Sequence, residues 1–325
     1  MNSNVFRLQP AAKDYLWGGT RLRTEFGKKI DLDPLAETWE CSTHPDGPSV
    51  VADGPYTGRT LTDVLEEHPE FLGSRGLELT GGKPELPILV KLIDAAKDLS
   101  VQVHPDDAYA LRYENSLGKT EMWYVLQATP DAKLVHGFSR DVTAEEVRVA
   151  AEDGSIEQLM NYVPVEKGDL FYIEAGTVHA IGAGALVAEI QENSNITYRL
   201  YDYNRVGKDG KKRELHVEKA LKVMNLAAST FSKDEVRSTV HGEGFDLERL
   251  KQCRYFTVDC IRSFRSYQRK TDEGCFHALL FIDGQASILM DGKEIRAGKG
   301  ETVFVPANTE ELKVVGEFEM LDITC

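Results

Sequence analysis

The chain has 325 residues, 42% of them apolar and 9% aromatic, which is enough to bury a sizeable core and excludes wholesale disorder. That length fits one large or two medium domains. The balance of 38 Lys and Arg against 53 Asp and Glu leaves a formal charge of −15, which repels polyphosphate backbones and anionic lipid but permits a small anion in a local cationic pocket.

The opening MNSNVFRLQPAAKDYLW has no apolar signal-type stretch, and no later run approaches ~20 apolar residues, so neither a signal peptide nor a spanning helix is expected. A short amphipathic helix is expected over 60–67. Strand-like runs follow at 86–93, 99–103 and 122–127, punctuated by Gly, Pro and Asp. Thr143 with Glu146 three residues later forms a capping box and opens a helical stretch near 143–160. Further strand-like runs occupy 169–173, 186–191 and 196–203. A third helix near 217–224 places Ala220, Leu221 and Met224 on one face. Residues 227–246 are polar and aperiodic, which marks a boundary. Beyond it, 277–282, 286–290 and 301–305 again read as strands. The class is mainly β, with a first module over 1–235 that carries a small helical insert and a second over 236–325.

A short internal repeat supports two modules. GDLFYIEAGTVH at 168–179 and GETVFVPANTEE at 300–311 share a Gly, a mostly apolar run and a small polar turn, at a constant offset of 132. Where the first copy has His179 the second has Glu311, so only the first bears a ligand-type histidine there. His277 is the candidate relic of such a site in the second module. Cys41, Cys253, Cys260, Cys275 and Cys325 are odd in number and lack CxxC spacing. Neither a disulfide framework nor a thiolate zinc site is therefore expected, and a reducing cytoplasm is the default.

In the segment SVQVH, Gln102 and His104 lie two apart and project from one face of a strand. Glu121 comes seventeen residues after His104, at the mouth of another apolar strand, and His179 follows a Gly-containing turn. Two imidazoles, a carboxylate and an amide oxygen suit a divalent metal with positions left open for water or substrate. The pattern of Gly168, Glu174, Gly176 and His179 resembles the second signature of the cupin superfamily. Gln102, His104 and Glu121 resemble a variant of the first. Cupins are antiparallel jelly-roll barrels with an internal metal, which implies two cupin-like jelly-roll modules here.

The resemblance goes further. PAAKDYLWGGTRL (10–22), LAETWECSTHPDG (35–47), LVKLIDAAKDLSVQVHPDD (89–107), LGKTEMWYVL (117–126), GTVHAIGAGALVAEIQENSNITYRLYDYNR (176–205) and RELHVEKAL (213–221) resemble type I mannose-6-phosphate isomerase in its short bacterial form. The likeness runs through nearly the whole chain in order. It implies an enzyme that interconverts mannose 6-phosphate and fructose 6-phosphate with one Zn2+ per chain, other divalent ions being possible. It implies Gln102, His104, Glu121 and His179 as ligands, and Arg199 in TYRLYDY as the catalytic arginine.

Such an isomerisation moves a proton between C2 and C1 through an enediolate, so it needs a base, a stabiliser of oxyanion charge and a phosphate clamp. Arg199 stays protonated and fits adjacent oxygens, which makes it a stabiliser and a poor base. The runs on either side of Ser194 read as a hairpin that faces Glu189 to Arg199. Glu189 is then the candidate base, with Glu174 and a metal-bound water as alternatives. Lys119 beside the metal strand could hold the phosphate or a sugar hydroxyl, and Ser100 could donate to the phosphate. Lys91, inside ILVKLI, is costly to bury unpaired, so it snorkels or serves the pocket. Trp17, ahead of a Gly18–Gly19 turn, could line the sugar site. The expected partner is a diffusible hexose phosphate, with no nucleic acid or membrane, and the chain a monomer or homodimer. Two other readings use the same fold: a non-catalytic sugar-binding cupin, and a non-haem iron oxygenase, because two His and a carboxylate also suit iron.

Overall fold

The computed structural model describes residues 4–207, 210–233, 237–290, 293–307, 309 and 311–325. Its described strands form three antiparallel sheets. Two are built from strands within residues 11–201 and enclose a common core. One runs Leu170–Ile173, Glu121–Gln127, Leu186–Glu192, Ile88–Asp94, Glu37–Cys41, Ala11–Lys13. The other runs Tyr198–Tyr201, Val101–Val103, His179–Ile181, Lys133–Phe138, Met160–Pro164. The third sheet, of eleven strands, has Phe318–Thr324 between Thr257–Ser263 and His277–Met290.

Strand parity explains both the core and the site. Ile88, Val90 and Leu92 turn outward, as do Met122, Tyr124 and Leu126, and Ala188 and Ile190. They meet Val258, Leu280, Phe304, Leu321 and Ile323 of the eleven-stranded sheet in one apolar layer. Each buried Leu or Ile there contributes roughly 1.5–3 kcal/mol. The alternate residues Ile93, Trp123, Val125 and Val187 turn inward and pack against Leu134 and Ile181 of the facing sheet. Both faces of these strands are therefore covered, which is why they read as continuous apolar runs. Polar residues of inward parity in the same strands, Lys91, Glu121 and Glu189, are forced into the interior.

The expected helices form with shorter limits. Leu61–Glu67 and Ala144–Asp153 both start with complete capping boxes, from Thr60 with Asp63 and from Thr143 with Glu146. The stretch near 143–160 is interrupted at Gly154, and Ile156–Leu159 follows as a 3-10 turn. Near 217–224 only Val217–Leu221 is helical. Val147, Ala150, Ala151 and Ala220 pack on Val101, Val103, Tyr198 and Leu200, covering the outer face of the five-stranded sheet. Helices at Gly73–Leu79 and Asp107–Tyr113 were not expected from periodicity. The second is marked by Asp106, whose carboxylate accepts from Tyr109 N at 2.8 Å.

The repeat is a repeat of structure. Gly168 and Gly300 both have positive φ, 92° and 84°, and each leads into a strand, Leu170–Ile173 or Thr302–Val305. Ile173 stands opposite Glu121, and Val305 opposite His277. His277 thus occupies the register position of Glu121, and its Nδ1 lies 2.7 Å from buried Asp322.

Three features depart from the expectations. Phe6–Gln9 and Val50–Val51 join the eleven-stranded sheet, with Phe6 opposite Phe304, so early strands complete the sheet built by residues 239–324. The expected boundary at 235/236 lies outside the described residues, and Thr239–Gly242, inside the stretch read as aperiodic, pairs with Phe245–Gln252. Finally, Cys275 and Cys325 form a disulfide with Cα atoms 6.0 Å apart, one bond rather than a framework, while Cys41, Cys253 and Cys260 are free. No described helix is long and apolar enough to cross a membrane.

Candidate metal centre and substrate cavity

Gln102 is the middle residue of a three-residue strand and lies opposite both His179 and Arg199. Val101 and Val103 point outward to the helices, so Gln102 and His104 point inward. The turn before His179 is tied to His104 directly: Gly176 N donates to His104 O at 2.8 Å. Gly176 has φ 89°, and a Cβ there would stand 2.9 Å from Val223 O, so only glycine suits the turn. Glu121 enters from the opposite sheet. His104, Glu121 and His179 are all buried, with ligand atoms within 4.8 Å of one another.

The donor set suits a divalent cation. His179 Nδ1 lies 2.8 Å from Thr177 O, so Nδ1 carries the proton and Nε2 presents its lone pair inward. That Nε2 lies 3.1 Å from His104 Nε2, 3.3 Å from Glu121 Oε1 and 3.4 Å from the Gln102 amide. His104 Nε2 is 3.6 Å from Glu121 Oε2. Ligands ~2.0–2.2 Å from a tetrahedral zinc stand ~3.3–3.6 Å apart. Glu121 Oε1 is buried without a hydrogen-bond partner, an orphan that a cation would satisfy. Rotating the Gln102 amide by half a turn points its oxygen at the same centre, and the two orientations are nearly indistinguishable by shape. Burial, with Lys119 nearby, depresses both imidazoles, His179 to about 3 and His104 well below its ordinary value, so both are neutral, as ligation requires. Burial pushes Glu121 up to about 7 against the opposing pull of Lys119.

The cluster adjoins a cavity of about 360 Å³. Gln102, Lys119, Trp123 and Glu189 line it, as do Trp17, Lys91, Ser100 and Arg199. Apart from the alternative base Glu174, every expected site residue outside the three-residue cluster therefore meets in one space. Lys119 makes a close contact with Glu121 Oε2 and lies 3.0 Å from His104 Nε2, which puts its ammonium at the metal end. Lys91 does not snorkel: it is 4% exposed and its ammonium donates to Glu189 Oε1 at 3.0 Å. Trp123 Nε1 donates to Glu189 Oε2 at 2.8 Å. Burial alone would raise the pKa of Glu189, but Lys91 and Lys119 outweigh it and hold it at about 2. Glu174 is exposed and does not line the cavity.

The expected hairpin is corrected. Leu186–Glu192 lies in the six-stranded sheet, with Glu189 opposite Lys91 and Trp123, whereas Tyr198–Tyr201 lies in the five-stranded sheet. The connection crosses between sheets because its polar groups bond outward: Asn193 N donates to Pro87 O and Ser194 Oγ to Leu117 O. Glu189 and Arg199 are thus not cross-strand partners. Arg199 instead donates to Ser100 Oγ at 3.3 Å and to Glu214 O at 2.9 Å. Sequence reasoning also passed over Glu37, Tyr15 and Arg213, which line the same cavity. Glu37 and Arg213 lie within the segments 35–47 and 213–221 singled out above, but nothing in their spacing directed them inward.

The family model described as phosphomannose isomerase type I, catalytic domain, matches residues 5–127, and the mannose-6-phosphate isomerase cupin domain matches 247–324. The mannose-6-phosphate isomerase ManA of Bacillus subtilis is 37% identical, over 99% of both chains. The chain belongs to the type I mannose-6-phosphate isomerase family. Other members similar to it are the probable mannose-6-phosphate isomerase GmuF of B. subtilis, 38% identical over 97% of each chain, and the enzyme of Streptococcus mutans, 34% identical over 97% of this chain and 96% of that one. The crystal structure of the B. subtilis mannose 6-phosphate isomerase superposes with a TM-score of 0.87 at 34% identity, covering 99% of each chain. A putative mannosephosphate isomerase of Archaeoglobus fulgidus gives 0.72 at 26% identity over 98% of this chain and 96% of that one. The fold is accordingly mainly β and built from antiparallel cupin sheets.

Proposed function

We propose that the protein interconverts mannose 6-phosphate and fructose 6-phosphate with one zinc ion held by His104, Glu121, His179 and the flipped amide of Gln102. The observation that carries this reading is a buried cation-type donor set adjoining a cavity that also holds cationic side chains. A bound zinc would supply a Lewis acid that polarises the substrate carbonyl and makes the C–H on the neighbouring carbon more acidic. Lys119, at the metal end, donates to the same developing oxyanion. Arg199, fixed by Ser100 and Glu214, lies along the cavity as a permanent positive charge for the enediolate or the phosphate. Ser100 offers its hydroxyl to the phosphate, and Trp17 gives the sugar an apolar wall. Glu189 is the carboxylate assigned as base. Its ion pair with Lys91 keeps it ionised but weakens it as a base, so the proton step requires that contact to lengthen.

The functional unit is a catalytic module over 1–235 and a metal-free degenerate cupin module over 236–325, the second completed by strands of the first. We place the enzyme in the cytoplasm, as a monomer or homodimer acting on a diffusible sugar phosphate without nucleic-acid or membrane partners. The net charge of −15 supports the last point. Neither a non-catalytic sugar-binding cupin nor an iron oxygenase is favoured, since the full-length relatives are named as isomerases.

The test joins metal analysis to a mannose 6-phosphate assay before and after chelation. Activity is expected to vanish with the metal and return with added zinc. Arg199→Ala is expected to lower kcat/KM on the order of 10²–10³-fold with zinc content unchanged. Turnover that survives complete metal removal contradicts the proposal.

A further inference from the structure

Four cationic side chains line the cavity, Lys91, Lys119, Arg199 and Arg213, against the two carboxylates Glu37 and Glu189. The lysines are already matched, Lys91 by Glu189 and Lys119 by Glu121. The arginines are not matched one for one. Arg199 bonds only a hydroxyl and a carbonyl among its described partners. Arg213 donates through Nε to Asp202 Oδ2 at 2.8 Å and through Nη2 to Asp202 Oδ1 at 2.5 Å. Asp202, only 5% exposed, also binds Arg205, so among the described residues one carboxylate serves two guanidiniums and leaves a positive charge over.

The segment bearing Arg213 is anchored on the strand bearing Arg199. Arg199 Nη1 donates to Glu214 O, and His216 N donates to Arg199 O at 2.7 Å. Both guanidiniums therefore hold fixed places around one space. They also sense each other: burial first, and then Arg213, lower the pKa of Arg199 below the usual arginine range. Two fixed and mutually repelling cations are stabilised by a dianion placed between them, because its two charges offset both at once.

We propose that Arg213, held by Asp202, binds the phosphate of the substrate together with Arg199 and so selects phosphorylated over free hexose. This rests on the reading of the cavity as a sugar-phosphate site. Asp202 is a positioning residue: its two short bonds hold the guanidinium of Arg213, leaving that group's remaining N–H donors for the ligand.

The experiment uses the zinc-loaded full chain and the variants Arg213→Ala and Arg213→Lys. It measures steady-state kinetics with mannose 6-phosphate, competitive inhibition by inorganic phosphate, and direct phosphate binding by calorimetry. Arg213→Ala is expected to raise KM and both phosphate constants roughly 10- to 100-fold, as loss of a charge-assisted bond implies, with kcat within a few-fold and zinc content unchanged. Arg213→Lys is expected to recover part of the loss. An unchanged KM and unchanged phosphate constants in Arg213→Ala overturn the inference. If the parent protein binds phosphate through Arg213 but isomerises no hexose phosphate, the anion site stands and the proposed reaction falls.

Discussion

Glu121→Gln is expected to remove metal and turnover together. The substitution keeps shape and volume but deletes the only carboxylate of the three-residue cluster. A neutral amide then faces two neutral imidazoles, and a divalent ion loses the one anionic ligand that offsets its desolvation. Lys119 loses its closest carboxylate as well, and a 4% exposed ammonium then opposes a second cation beside it. The expected result is zinc near zero per chain by elemental analysis, with kcat/KM down on the order of 10³-fold or more. Far-UV circular dichroism should remain that of the parent. Full zinc content with kcat/KM within tenfold of the parent contradicts the ligand set.

Lys91→Met is expected to cost roughly 3–5 kcal/mol of folding stability by denaturant titration. Lys91 and Glu189 are each at most 6% exposed at the side chain, and the pair is 3.0 Å long in the middle of the six-stranded sheet. Removing the ammonium leaves a buried carboxylate whose other oxygen accepts from the neutral Trp123 indole. Replacing both members, Lys91→Met with Glu189→Leu, is expected to recover much of that loss, because the desolvation cost disappears with the charges. The pH dependence has a defined sign. Glu189 is held at about 2 in the folded protein against an ordinary 4.5, so its contribution is present above about 4.5 and is lost as pH falls toward 2. Lys91→Met should flatten that acid limb. A single variant within about 1 kcal/mol of the parent would show that the pair does not hold the sheet.

What could be read in advance follows from what strand periodicity encodes. Gln102 and His104 were legible as sharing a face because they are two apart in a strand, whereas their inward direction shows only where Val101 and Val103 pack outward against the helices. Glu121 at a strand start and His179 after the Gly176 turn carried the same kind of local signal. Lys91 was legible as an anomaly, a charge inside ILVKLI, but its partner was not, since Glu189 lies in a distant strand with no local mark of pairing. The failed pairing of Glu189 with Arg199 has the same origin. Alternation says which residues share a face, whereas the sheet that a strand joins depends on where its connection bonds, here Asn193 on Pro87 and Ser194 on Leu117. The junction of Phe6 with Phe304 and the bond between Cys275 and Cys325 are long-range in the same way. Arg213 escaped notice because its direction is set by Asp202 and by the backbone of Arg199, neither of which leaves a periodic trace.

The most direct measurement is anomalous diffraction at the zinc edge from crystals of the full chain prepared with zinc. One peak is predicted, ~2.0–2.2 Å from His104 Nε2, His179 Nε2 and a carboxylate oxygen of Glu121, with the Gln102 oxygen as the fourth protein ligand. Ordered His104, Glu121 and His179 side chains with no peak between them, or a zinc peak held by other residues, would contradict it.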